Sequence, residues 1–190
     1  LLTIVANRTS NDGGGHLTCN KNRIACSLVA GFLKCKLVFL GQLERKNREK
    51  VGFIFQQHNL LSQFSVWENV SLPLLYRDVG VGERRKAALH VLDRLGLGSR
   101  SDFKTAQLSV GEQQRVAIAR ALVADPKIIL ADEPTASIDM ETAADILRIF
   151  RHLKESGKTI LAVSHDPALV SEGDTSVELK RGVLVQSRRA

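Results

Sequence analysis

Two carboxylates, Asp132 and Glu133, stand side by side at the end of the apolar run Ile128-Ile-Leu-Ala131. A continuous apolar run of this length reads as a buried strand, and open α/β sheets bind ligands beyond the carboxyl ends of their strands. Chemistry on a nucleoside triphosphate needs an acidic group to hold Mg²⁺, directly or through water. It also needs a second group to orient and deprotonate the attacking water. Asp132 suits the first role and Glu133 the second. Alone, the pair is equally well read as a solvated acidic turn.

Upstream lies Leu108-Ser-Val-Gly-Glu-Gln-Gln-Arg115. Ser109 with Glu112 three residues on is a capping box that opens a helix. A helix start offers unpaired N–H groups and a positive dipole, and Gly111 lets a phosphate approach the backbone. By itself this is simply a well-capped helix.

The elements that must position these residues can be read from periodicity. Val51–Phe55, Lys127–Ala131 and Thr159–Val163 are short apolar runs, expected as buried parallel strands. Ala143, Ile146, Leu147, Phe150 and Leu153 recur at helical spacing between the last two runs, which makes a strand–helix–strand crossover. Leu108–Ala124 reads as a helix stopped by Asp125-Pro126, and Glu83–Leu95 as one closed by Gly96. Val177–Leu179 and Val183–Val185, around Arg181-Gly182, read as a terminal hairpin. The expected class is α/β: a parallel-sheet core with an inserted helical subdomain.

The stretch LSVGEQQRVAIARALVADPKIILADEPTASID followed by VSHD resembles the ABC ATPase family from Leu108 to Asp166. The resemblance makes Leu108–Gln113 the signature motif, Ile128–Glu133 the Walker B strand and Ser137-Ile138-Asp139 the D-loop. It makes Gln56 the Q-loop glutamine that senses Mg²⁺ and the γ-phosphate. It makes His165 the switch histidine, a position where an isolated His would be read as structural. The fold it implies is that of a P-loop NTPase, with ATP and Mg²⁺ as cofactors. Glu133 and His165 would be catalytic; Asp132 and Gln56 would hold the metal; Ser109, Gly111, Glu112 and Asp139 would contact nucleotide. Two such domains would pair head to tail, each signature motif clamping the ATP held by the other. Transmembrane permease subunits would be the further partners, with the chain peripheral on the cytoplasmic face of the membrane.

Gly-Phe-Ile-Phe-Gln-Gln-His-Asn-Leu-Leu, then Trp67-Glu-Asn-Val-Ser-Leu-Pro-Leu-Leu-Tyr76, is similar to the lipoprotein-release and macrolide-export group of that family. In relatives this segment docks on the membrane subunit, so Leu60, Leu61, Phe64 and Trp67 read either as a docking face or as the helical subdomain's own core. The expected division is 1–56 as N-terminal core, 57–125 as helical subdomain and 126–190 as C-terminal core.

One family element is missing. The phosphate loop Gly-x-x-x-x-Gly-Lys-Ser/Thr, whose backbone and lysine cradle phosphates, does not precede Gln56. Gly157-Lys158-Thr159 lacks the upstream glycine and enters a strand, so it is a decoy. Thr18-Cys-Asn-Lys21-Asn-Arg23 occupies the expected place, with Lys21 a remnant at most, and Gly13-Gly14-Gly15-His16 has no lysine. The first 35 or so residues read either as a frame-shifted segment or as a degenerate ATPase terminus. The runner-up function is therefore a nucleotide-incompetent module that only docks on a membrane partner.

Bulk properties narrow the rest. The chain has 190 residues, 44% hydrophobic and 25% charged, enough for one domain with a sizeable core. No apolar run approaches the ~18 residues that span a bilayer. No leader pattern opens the chain, and the missing initiator Met points to a trimmed chain or fragment. Cys19, Cys26 and Cys35 match no zinc spacing and read as reduced thiols. The formal charge of +7 comes from mixed clusters such as 44–50 and Glu83-Arg-Arg-Lys86, expected as solvated surface. Without aromatic residues among them, no nucleic-acid partner is expected.

Overall fold

The structure is a computed structural model that describes residues 2–7, 50–136, 138–180 and 183–189. Lys21, the three cysteines, the glycine run at 13–15, the 44–49 part of the basic cluster and Ser137 lie outside the described residues.

The described strands form one sheet in the order β2-β3-β4-β1-β5-β6. Its strands are β1 (Leu2–Asn7), β2 (Val51–Ile54), β3 (Ile128–Asp132), β4 (Thr159–Ser164), β5 (Thr175–Lys180) and β6 (Val183–Arg189). The expected parallel core is β2-β3-β4, with Ile54 opposite Ala131 and Asp132 opposite Val163. β1 is an addition to the expected elements. It pairs antiparallel with both β4 and β5, and the β5–β6 hairpin closes that side of the sheet.

Among the described residues five α-helices accompany the sheet: α1 (Val66–Leu75), α2 (Val81–Arg94), α3 (Val110–Leu122), α4 (Met140–Glu155) and α5 (Pro167–Ser171). Two capping boxes start them. Ser65 accepts from Glu68 N–H at α1, and Ser109 accepts from Glu112 N–H at α3, with each glutamate returning to the cap backbone. α2 ends as the sequence requires, with Gly96 at φ +70° and the Leu97 N–H reaching back to Leu92 O at 2.8 Å.

α3 is the joint of the molecule. Ile118 and Ala121 pack into the sheet-side core with Ile54, Ile129, Ile146, Phe150 and Ile160. Val116, Ala119 and Val123 pack into a second core with Val66, Val70, Leu74, Ala88 and Leu92 of α1 and α2. Residues 116–119 are all fully buried, because a helix serving two cores cannot spare a polar face there. Its approach to the sheet is close. A Cβ on Gly52 of β2 would stand 2.5 Å from Ala121 O, so only glycine fits.

The second core takes in part of the segment after Gln56. Leu60 and Trp67 pack against it, and the Arg85 guanidinium covers the Trp67 ring at 5.4 Å from its centroid. Both therefore contribute to the subdomain's own packing, as partly buried side chains. Phe64 is half-buried, and Leu61 alone of the four is exposed, at 38%.

Candidate functional site

The parallel register of β2, β3 and β4 brings Gln56, Asp132, Glu133 and His165 to one edge of the sheet. Ile54, Ala131 and Ala162 are level across the strands, and each chain leaves the sheet within a few residues of that line. Asp132 is the last residue of β3, while Gln56 sits exposed in the turn after β2.

Glu133 departs from strand geometry at once. Its φ is +48°, a left-handed conformation that a non-glycine residue adopts at a cost of ~1–3 kcal/mol. Its N–H still donates to Val163 O at 2.9 Å, so the turn is pinned to β4. That swings the side chain toward the end of the neighbouring strand. Glu133 Oε2 accepts from His165 N at 3.3 Å and from Ser164 Oγ at 3.4 Å. Oε1 lies 3.2 Å from His165 Nε2 without hydrogen-bond alignment, leaving a buried carboxylate oxygen with no hydrogen-bond donor. The imidazole itself is open, its side chain 60% exposed against 13% for Glu133.

Residues on either side hold this corner together. Asp166 caps α5 through Ala168 N–H at 2.9 Å and accepts from Thr135 Oγ1 at 2.9 Å. Its own N–H donates to Ser164 Oγ at 3.0 Å, so Ser164 links Asp166 to Glu133. Gln114, buried in α3, donates to Pro134 O at 2.7 Å. Sequence reading does not single out Thr135, Ser164, Asp166 or Gln114. The visible signal is Asp166 before Pro167, an N-cap and N1 pair.

A second anchor fixes the turn carrying Gln56. His58 and Asn59 have φ of +55° and +48°, and Arg120 of α3 donates to both carbonyls at 2.5 and 2.6 Å. Burial, then the nearby Arg120 charge, holds the His58 imidazole below its usual pKa.

The helix start at Ser109 lies on α3 and Asp139 caps α4. Glu112 is engaged inside the chain: Oε2 accepts from Ser109 N–H at 2.9 Å and Oε1 meets Arg100 Nε at 3.3 Å. The Ser109 backbone bond comes first among the causes that keep its carboxyl below the ordinary value. Asp139 is likewise held low, by the Thr142 N–H and then the Thr142 hydroxyl. Gly111 is buried, and its absent Cβ would stand 2.6 Å from Thr142 Cγ2. Close approach of α4 thus gives the glycine a reason beyond the expected approach of a phosphate.

Among the described residues no three His, Cys, Asp or Glu side chains gather to hold a metal ion. Asp132, the last residue of β3, supplies a carboxylate of the kind Mg²⁺ takes beside waters and phosphate oxygens.

Residues 1–136 match the family described as ABC transporter. This chain belongs to that family. It is 46% identical over 141 residues to an uncharacterized ABC transporter ATP-binding protein of Thermotoga maritima, covering 74% of this chain and 60% of that one. It is also 46% identical over 142 residues to the macrolide export ATP-binding/permease protein MacB 1 of Aeromonas hydrophila, covering 75% of this chain and 22% of that protein. The chain therefore spans less than two thirds of these relatives' lengths. The solved dimeric ATP-binding cassette MJ0796, in a post-hydrolysis state with ADP and Pi, superposes with a TM-score of 0.70 at 39% identity, covering 78% of this chain and 68% of that one. The P-loop NTPase-like fold is thereby established for the described core.

Proposed function

We propose that this chain binds ATP with Mg²⁺ and hydrolyses it to drive an ABC exporter of the macrolide-export-like group. The observation that carries the reading is Glu133 Oε1, a buried carboxylate oxygen without a hydrogen-bond donor at the sheet edge where the family places its nucleotide. Such an oxygen has acceptor capacity that no hydrogen bond uses, as a base toward an attacking water requires. His165 Nε2 stands beside it with an exposed ring, suited to meet a terminal phosphate. Asp132 and Gln56 would hold Mg²⁺, which supplies charge neutralisation for the phosphates when bound.

Ser109, Gly111 and Glu112 would form the clamp on the nucleotide of a head-to-tail partner, and Asp139 would tie the two sites together. For Glu112 the contribution is indirect, since its carboxylate is spent on shaping the helix start. The division 1–56, 57–125 and 126–190 remains our reading of the organisation, with α3 as the joint. No described helix is long and apolar enough to cross a membrane. Membrane association would come through permease subunits on the cytoplasmic face. Macrolides, peptides or lipoproteins are the proposed cargo classes.

The absence of Gly-x-x-x-x-Gly-Lys-Ser/Thr before Gln56 favours the rival, a docking module that no longer binds nucleotide. Loss of that cradle removes charge-assisted hydrogen bonds worth ~1.5–3 kcal/mol each. Calorimetric titration of the purified chain with ATP separates the two. Mg²⁺-dependent binding in the micromolar range supports the ATPase, and no binding at millimolar ATP overturns it.

A further inference from the structure

The signature helix and the Asp139 cap are joined inside one chain by a single side chain, Thr142. Thr142 N–H donates to Asp139 Oδ1 at 2.9 Å and its hydroxyl donates to Oδ2 at 2.8 Å. Both carboxylate oxygens of Asp139 are therefore held by one residue. The same Thr142 fills the space where Gly111 lacks a side chain. A Cβ there would stand 2.6 Å from Cγ2 and 2.9 Å from Oγ1, closer than real Cβ atoms come. One turn further along, Arg115 of α3 and Asp145 of α4 are 3.5 Å apart, so the two helix starts are also tied by charge.

We propose that Thr142 is a positioning residue that makes Ser109–Gly111 and Asp139 move as one rigid unit. An N-terminal aspartate bonded to a threonine three residues on is by itself ordinary capping. The contact with Gly111 is what makes it a coupling. The side chain whose methyl and hydroxyl crowd the Cβ-less space at Gly111 is the one that holds Asp139, so α3 cannot shift toward α4 without loosening that carboxylate. That both elements face a partner subunit rests on the function proposed above. In that setting the clamp on one nucleotide and the aspartate reaching for the other site would engage together.

The test is a ¹³C carboxyl NMR titration of the full chain without nucleotide. Thr142→Val keeps the shape and loses the hydroxyl bond, and it should raise the Asp139 titration toward the ordinary aspartate value. Gly111→Ala leaves Asp139 and Thr142 chemically intact, yet it should raise the same titration by displacing Thr142. Adding Thr142→Ser to Gly111→Ala removes the closer of the two clashing groups, the methyl at 2.6 Å, and should lower it part of the way again. A folded Gly111→Ala protein whose Asp139 titrates as in wild type overturns the proposal.

Should Gly111→Ala fail to fold, Asp139→Ala serves instead. It should shift the Gly111 amide resonance in the wild-type background and leave it unmoved in a Thr142→Val background. A Gly111 amide that ignores Asp139→Ala also overturns the coupling. Because no nucleotide is present, failed ATP binding counts against the proposed function and an unmoved Asp139 counts against this inference.

Discussion

Glu133 Oε1 and His165 Nε2 lie 3.2 Å apart across the ends of two adjacent strands, β3 and β4. The distance is a consequence of register. Asp132 pairs with Val163, and the left-handed turn at Glu133 folds its side chain over the strand end where His165 begins. Ser164, Asp166 and Thr135 then brace the two turns against each other. Sliding β4 by one residue would reverse its faces and take His165 away from the carboxylate.

Arg120 should matter to the Gln56 turn although it never reaches the sheet edge. Arg120→Met keeps the apolar stem but strands the carbonyls of His58 and Asn59. Hydrogen bonds to charged groups contribute ~1.5–3 kcal/mol, and a loss of about that size is expected in chemical denaturation. Faster amide exchange at His58 and Asn59 should accompany it, since these two N–H groups donate within the turn. Unchanged stability and exchange would show that the turn holds itself.

The capping box at α3 predicts an acid limb. Glu112 has its carboxyl held below the ordinary glutamate range, first by the Ser109 backbone bond. A lowered folded value stabilises above the unfolded pKa and is lost as pH falls through the folded one. Glu112→Gln keeps an acceptor without the charge. Its stability deficit against wild type should be constant above about pH 5 and close steadily below it. A deficit that persists to pH 2 would contradict the assignment.

Much of this arrangement is legible in the chain itself. The apolar runs at β2, β3 and β4 announce buried parallel strands, and Ser109 with Glu112 announces its helix because both partners are local. What lies between elements is not legible. Arg120 serves two carbonyls about sixty residues upstream, and Thr142 answers a glycine on another helix; no spacing rule encodes such pairs. Leu60 and Trp67 are ambiguous for a similar reason, since an apolar residue looks the same whether it packs inward or docks outward. β1 escapes because an apolar run does not say which strand it joins or in which direction.

The central claim is that the β3–β4 edge is a hydrolytic site with Glu133 as its base. Phosphate release by Glu133→Gln, compared with wild type at saturating Mg²⁺-ATP, tests it most directly. A missing general base lowers rate by about 100- to 10,000-fold. Glu133→Gln should fall in that range with ATP binding retained and a nucleotide-bound dimer accumulating on gel filtration. Equal turnover in wild type and Glu133→Gln would contradict it.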